Sequence, residues 1–248
     1  CDLLPETMAY IRRLRQLVDA YPGRAMVAEP TGFGPPAPFF GNGRDMFHMA
    51  FDLDYGFLRA AFLAGGLAQP IADRFVAARQ DDPPGAQHAL SIGSHDLPRA
   101  FERAQGIASR WRRAALVQMT MPGTPFVYYG EELGLRPGSQ VVVDQRDRSR
   151  TPMPWRTPNA IGPPDFGFGF TTGRPWIAFG AEPERTSLEV ERGDPGSEYA
   201  FYRSLLGLRR GREAFGTGAL RVLAVDDPSG LLYLREAADE TYVGAVGS

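Results

Sequence analysis

The sequence predicts an α/β protein. Four parallel strands alternate with helices, about half of an eight-stranded (β/α)8 barrel, and the start of an all-β region follows. Three observations predict it. Short apolar runs bounded by turn residues begin near residues 25, 47, 89 and 125. Segments with helical spacing fill two of the three intervals between them, as parallel βα units do. From Gly216 the pattern changes to short strands split by turn residues.

Each element has a local reason. Residues 5–21 carry Met8, Ile11, Leu14, Leu17, Val18 and Tyr21 at helical spacing, with Pro5 suited to the first turn and Pro22-Gly23 as a stop. Arg24–Ala28 reads as a short buried strand ending in Glu29-Pro30. Residues 30–45, rich in Gly, Pro and Phe, read as a loop. Phe47–Leu53 alternates as a second strand, and helical pieces are expected at 56–64 and from Pro70. Ala89–Ile92 is a third strand, ending in His95-Asp96, and Pro98 prevents its continuation. A helix over about 105–120 aligns Ile107, Trp111, Ala114, Ala115 and Gln118, with Met121-Pro122-Gly123 ending it. Pro125–Tyr129 is the fourth strand. Residues 133–196 have little periodicity and read as a functional insertion or linker. A helix over about 197–213 precedes strands at Leu220–Val222, Leu231–Leu234 and Tyr242–Val243.

Composition narrows the function classes. The 248 residues carry a net charge of -2, which gives no sign of nucleic-acid or anionic-membrane partners. All 27 basic residues are arginine, supplying forks suited to carboxylates and hydroxyls. The one cysteine, Cys1, excludes a disulfide framework within the chain and a thiolate metal cluster. No apolar run is long enough to span a membrane, and no signal-peptide pattern is visible, so a cytoplasmic location is expected. The chain begins without Met and closes on a strand in progress, the pattern expected of a fragment.

Glu29 and Asp96 close the first and third strands. At the carboxyl ends of alternate strands in a barrel, both would point toward one mouth. Two carboxylates are the minimum for acid/base work on an acetal, one protonated and one ionised. His95 is placed to donate to a substrate hydroxyl. The local alternative is a helix N-cap Asp beside a surface histidine, and for Glu29 a surface acid in a turn. No G-x-S-x-G elbow is present, His48, His88 and His95 lack metal-ligand spacing, and Thr31-Gly32-Phe33-Gly34 has neither a P-loop lysine nor a dinucleotide fingerprint. No cofactor and no metal are expected.

Four segments resemble one known family. Gly93-Ser94-His95-Asp96-Leu97-Pro98-Arg99 resembles the fourth signature region of the α-amylase superfamily of glycoside hydrolases, and Met121–Glu132 its eighth-strand segment. Arg146–Trp155 is similar to a motif of the α-glucosidase and oligo-1,6-glucosidase branch, shared with trehalose synthases, and Val27-Ala28-Glu29 fits the third region. The resemblance implies a partial catalytic barrel over residues 1–215, with strands five to eight, the final helix and the insertion at 133–196. A C-terminal β-sandwich would begin over 216–248.

It also implies Glu29 as general acid/base, Asp96 as stabiliser of the oxocarbenium-like transition state, and His95 as a holder of a sugar hydroxyl. Arg146 and Arg150 match loop arginines lining the sugar pocket; the alternative for each is a loop-bracing ion pair. Glu131 and Glu132 read as structural acids, and Tyr128 and Tyr129 as barrel packing. Trp155 could brace the insertion or flank the substrate. Ser94 stands where the family usually has Asn, and Ala28 where it usually has Gly. The family's nucleophilic Asp lies in a G-x-R-x-D segment, and the 248 residues contain none. The implied function is a retaining α-glucosidase releasing glucose from small oligosaccharides or disaccharides, with the chain alone inactive. A trehalose synthase-like isomerase and a non-catalytic binding module are the alternatives.

Overall fold

The computed structural model describes residues 3–30, 35–53, 68–77, 79–158, 167–227 and 229–247. The expected helical piece at 56–64, and the loop residues 31–34, lie outside them. Helix α1 (Pro5–Asp19) has proline in its first turn and stops two residues before the expected end. Of its predicted apolar face only Ile11 is buried, whereas Leu17 and Tyr21 are exposed.

Strands β1 (Val27–Ala28), β2 (Met49–Phe51), β3 (Gln87–Ser91) and β4 (Thr124–Phe126) form one parallel sheet in sequential order. Ala50 sits opposite Ala28 on one side and His88 on the other, and Leu90 opposite Pro125. Helix α2 (Ala68–Ala77) lies between β2 and β3 in sequence. A one-turn helix α3 (Ala100–Arg103) and helix α4 (Ala108–Thr120) lie between β3 and β4. The predicted helix at 105–120 therefore begins later. Gln105 and Gly106 adopt positive φ, which breaks the helical path between α3 and α4. Just before β4 stands Gly123, whose φ is 129° and where a Cβ would come within 2.7 Å of the His88 carbonyl. Only glycine fits that approach.

The ladder of β4 ends at Phe126, three residues short of the expected end. Tyr128 and Tyr129 leave it and turn their hydroxyls to the insertion, donating to the carbonyls of Ser149 at 3.1 Å and Thr151 at 2.7 Å. Beyond the packing expected of their rings, the two hydroxyls tie the strand end to the following loop. Burial raises the Tyr128 pKa, so the hydroxyl stays a donor. Between residues 133 and 196 most described backbone is irregular, interrupted by the 3₁₀ turn Gln145–Ser149 and helix α5 (Leu188–Gly193). The last predicted helix splits into α6 (Glu198–Arg209), capped by the Ser197 side chain, and α7 (Glu213–Gly216).

Strands β5 (Ala219–Leu223), β6 (Leu231–Glu236) and β7 (Thr241–Val246) form an antiparallel meander. It shares the barrel's core: Leu231, Tyr233 and Val246 bury in one cluster with Leu90, Trp111, Ala115, Met119 and Tyr202. The join is also polar. Tyr233 hydrogen-bonds the Thr120 hydroxyl at 2.5 Å. The fully buried Arg235 donates to the carbonyls of Thr120 and Gly218. Arg209 donates to the Met119 carbonyl at 2.7 Å. Two guanidiniums thus meet the carbonyl end of α4, where cations are favoured. Burial lowers the Arg235 pKa to about 10. No described helix is long and apolar enough to cross a membrane.

Candidate active site

The carboxyl end of β3 builds the centre. Ala89, Leu90 and Ile92 are buried, and Gly93 follows in a position where a Cβ would meet the Glu131 carboxylate at 2.5 Å. The Ser94 hydroxyl then accepts the Asp96 N–H at 3.1 Å, a side-chain turn that directs the next residues outward. His95 and Asp96 consequently stand exposed, 57% and 41% by side chain.

Three groups converge on one oxygen of Asp96. Arg146 Nη1 donates to Oδ1 at 3.0 Å, Arg150 Nη2 at 3.1 Å, and His95 Nε2 lies 3.5 Å away. Arg150 Nε also donates to the His95 carbonyl at 3.0 Å. The structure therefore brings together His95, Asp96, Arg146 and Arg150, although 50 or more positions separate the first two from the last two in sequence.

The loop carrying both arginines is held by two acids. Asp144 and Asp147 form a reciprocal capping box around the 3₁₀ turn. Asp147, 1% exposed, accepts the backbone N–H groups of Val142 at 2.8 Å, Val143 at 2.6 Å and Asp144 at 3.3 Å. Those N–H groups, Val143 foremost, hold its pKa below the usual carboxylate range. Asp144 accepts from the Arg146 side chain and backbone, which lower its pKa to about 2. Ser149 donates to the Leu97 carbonyl at 2.7 Å and Arg148 to Glu102 at 2.8 Å, fastening the insertion to the segment after β3. Sequence reasoning passed over the roles of Asp144 and Asp147. The D-x-x-D spacing of a capping box was the available signal.

Glu29 follows β1 and is exposed. Because β2 lies between β1 and β3, its strand end is two places from that of Asp96, roughly 10 Å at ordinary strand spacing. No hydrogen bond or ion pair among the described residues joins Glu29 to the Asp96 cluster. Asp96 is surrounded by two arginines and an exposed histidine rather than by apolar side chains. Glu131 is buried and accepts the Tyr128 N–H at 3.2 Å. Burial raises the pKa of Glu132. Arg99, also buried, lies 5.0 Å from the Tyr129 ring and donates to the Thr151 hydroxyl at 3.1 Å. Trp155 is exposed and lines a cavity beside Arg150. Among the described residues no group of three or more His, Cys, Asp or Glu is arranged to hold a metal.

Known proteins resemble this chain in sequence and in fold. The trehalose synthase/amylase TreS of Mycobacterium tuberculosis is 29% identical over 97% of this chain and 45% of its own length. A probable oligo-1,6-glucosidase of Bacillus subtilis is 30% identical over 58% of this chain and 31% of its own. Among solved structures, the trehalulose synthase MutB from Pseudomonas mesoacidophila superposes with a TM-score of 0.78 at 22% identity, covering 98% of this chain and 50% of MutB. The α-amylase from H. orenii gives 0.79 at 21% identity, covering 97% and 48%. The chain thus spans half or less of the length of each of these relatives. The family model described as "Alpha amylase, catalytic domain" matches residues 3–218. The chain belongs to the α-amylase family of glycoside hydrolases.

Proposed function

We propose that the protein cleaves the α-glucosidic bond of small oligosaccharides or disaccharides with retention of configuration, releasing glucose from the non-reducing end. The convergence of His95, Arg146 and Arg150 on Asp96 carries the proposal. It presents one carboxylate in a fixed position at a strand end, as charge stabilisation of an oxocarbenium-like sugar requires. In this reading Glu29 protonates the departing oxygen and later takes a proton from the attacking water. Asp96 faces the anomeric carbon, and His95 with Arg146 and Arg150 holds the hydroxyls of the terminal sugar. Retention also needs a carboxylate nucleophile about 5–5.5 Å from the acid. The family's G-x-R-x-D segment for it does not occur in the 248 residues, so these residues alone are expected to be inactive on p-nitrophenyl α-glucoside. Residues 1–215 would belong to the catalytic barrel and 216–248 to the C-terminal β-domain, in a cytoplasmic enzyme without a cofactor.

A second reading has its own support. The trehalose synthase relative aligns over 97% of the chain, the oligo-1,6-glucosidase over 58%. Intramolecular transfer, in which the released glucose is recaptured rather than replaced by water, uses the same groups. Incubation of the active protein with maltose separates the two. Glucose as the main product supports the hydrolase; trehalose as the main product replaces that reading with the isomerase.

A further inference from the structure

The residue ahead of β2 holds the residue ahead of β1. His48 Nδ1 accepts the Met26 N–H at 3.0 Å. The Met26 carbonyl accepts the backbone N–H groups of His48 and Met49, each at 3.1 Å. Both polar backbone groups of Met26 are thus committed to the start of β2. The other ring nitrogen, Nε2, lies 3.4 Å from Asp19 at the end of α1. One imidazole therefore joins α1, β1 and β2.

β1 needs such a fastening. Its ladder with β2 consists of two residue pairs, Val27 with Met49 and Ala28 with Ala50. Glu29 follows at once and is exposed. Side chains alternate across a strand, so a slip of one residue in so short a ladder would turn Glu29 to the opposite face. Met26 lies three positions before Glu29, and fixing it fixes that register.

The clamp has one working protonation state. Nδ1 accepts and so carries no proton, and the proton on Nε2 faces Asp19. A second proton, on Nδ1, would set two N–H groups against each other. Among the described residues the charged groups facing the ring are Asp19 and Arg15, both on α1. Arg15 Nε donates to Asp19 at 2.8 Å and its Nη1 to the Met46 carbonyl at 2.9 Å. Arg12, one turn earlier, is held by Asp45 at 2.8 Å. Burial lowers the His48 pKa, Arg15 lowers it further, and Asp19 opposes both. The clamp's contribution is therefore full above the unfolded value of about 6.5 and lost as pH falls through the lower folded value.

We propose that His48 is a positioning residue for Glu29: its unprotonated Nδ1 fixes the register of β1 and so the direction in which Glu29 leaves the strand. The consequence for catalysis rests on the acid/base reading of Glu29 above; the clamp itself does not.

Two substitutions isolate the acceptor. His48→Asn keeps one near the place of Nδ1 and gains no charge between about pH 5 and 8, whereas His48→Leu removes it. His48→Gln, whose amide reaches the place of Nε2 instead, serves should His48→Leu fail to fold. Nitrogen-15 NMR of the parent at neutral pH should show Nδ1 unprotonated and Nε2 protonated. The Met26 amide should exchange with solvent at least roughly tenfold faster in His48→Leu than in the parent or His48→Asn. A parent Nδ1 that carries the proton, or Met26 exchange indifferent to the loss of the acceptor, would overturn the inference.

Kinetics of the active protein read the positioning itself. A misplaced Glu29 costs most where the leaving group most needs its proton. In His48→Leu, kcat should fall about tenfold on methyl α-D-glucoside and less than about threefold on p-nitrophenyl α-D-glucoside, with His48→Asn restoring both. Equal losses on the two glucosides would make His48 a purely structural residue and overturn its positioning role. A Met26 clamp upheld by exchange in a protein that cleaves neither glucoside would keep the register device and remove the acid/base reading of Glu29 instead.

Discussion

Two charged clusters in this molecule have nearly the same ingredients and opposite surroundings. Around Asp96 a carboxylate meets His95 and two arginines, all between 29% and 57% exposed by side chain. Around His88 an imidazole sits between Asp52 and Asp82, 2.8 Å from each, with Arg79 3.4 Å from Asp52. There His88 is 2% exposed and the Asp52 side chain 0%. Ion pairs in water contribute roughly 0–1 kcal/mol, whereas removing one member of a buried pair strands a charge. The same residue types therefore stand open to solution in one cluster and are sealed into the packing in the other.

Substitutions should separate the two clusters, the largest effect first. His88→Ala should destabilise the fold by about 3 kcal/mol, because Asp52 and Asp82 lose the imidazole between them and Arg79 stands farther from Asp52. His95→Ala should cost under about 0.5 kcal/mol. Urea unfolding of both variants tests the pair, and equal costs would erase the distinction. Asp96→Asn should reverse the pattern. In the active protein we expect kcat to fall about 10²–10³-fold, with unfolding stability within about 1 kcal/mol of the parent.

Acid probes the loop that carries the two arginines. Asp144, held by Arg146 at a pKa of about 2, lies below its unfolded value of about 3.9. Its contribution to the clamp is therefore full above about pH 4 and lost as pH falls through about 2. Titration of the Asp144 carboxyl carbon by NMR should find a midpoint near 2, and Arg146→Ala should raise it only part of the way to the unfolded value, because the backbone N–H of residue 146 still donates to the carboxylate. Glu132 gives the smallest effect. Its raised pKa means that burial disfavours its charge. Glu132→Gln at pH 7 should accordingly leave the melting temperature unchanged or slightly higher, and a clear fall would show that the charge itself is needed.

The strands, their parallel order and the switch to an antiparallel region were legible because period and turn residues are local properties. Boundaries were less so. The expected strand over 125–129 stops at Phe126 because two tyrosine hydroxyls find partners in the insertion. On α1 the expected apolar face buries Ile11 and leaves Leu17 and Tyr21 to solvent, since helical spacing says nothing of what covers a face. Four of the five candidate site residues share one set of polar contacts in the structure, and Glu29 lies outside it. The acids that hold them, Asp144 and Asp147, were passed over because a D-x-x-D spacing marks a capping box only where the chain turns between the two acids, and that turn is set by tertiary contacts.

Consecutive residues were enough to specify the class of fold, the family and the strand ends at which polar chemistry would appear. Hydrophobic period and short motifs suffice for those, since both are written locally in the chain. Tertiary packing alone decided which charges are buried, which arginines reach Asp96, and that the β5–β7 sheet closes onto the core of the barrel segment. Those outcomes depend on contacts between residues fifty or more positions apart, such as Arg146 with Asp96 and Arg235 with Thr120. Their energies are set by how much water the packing leaves between them.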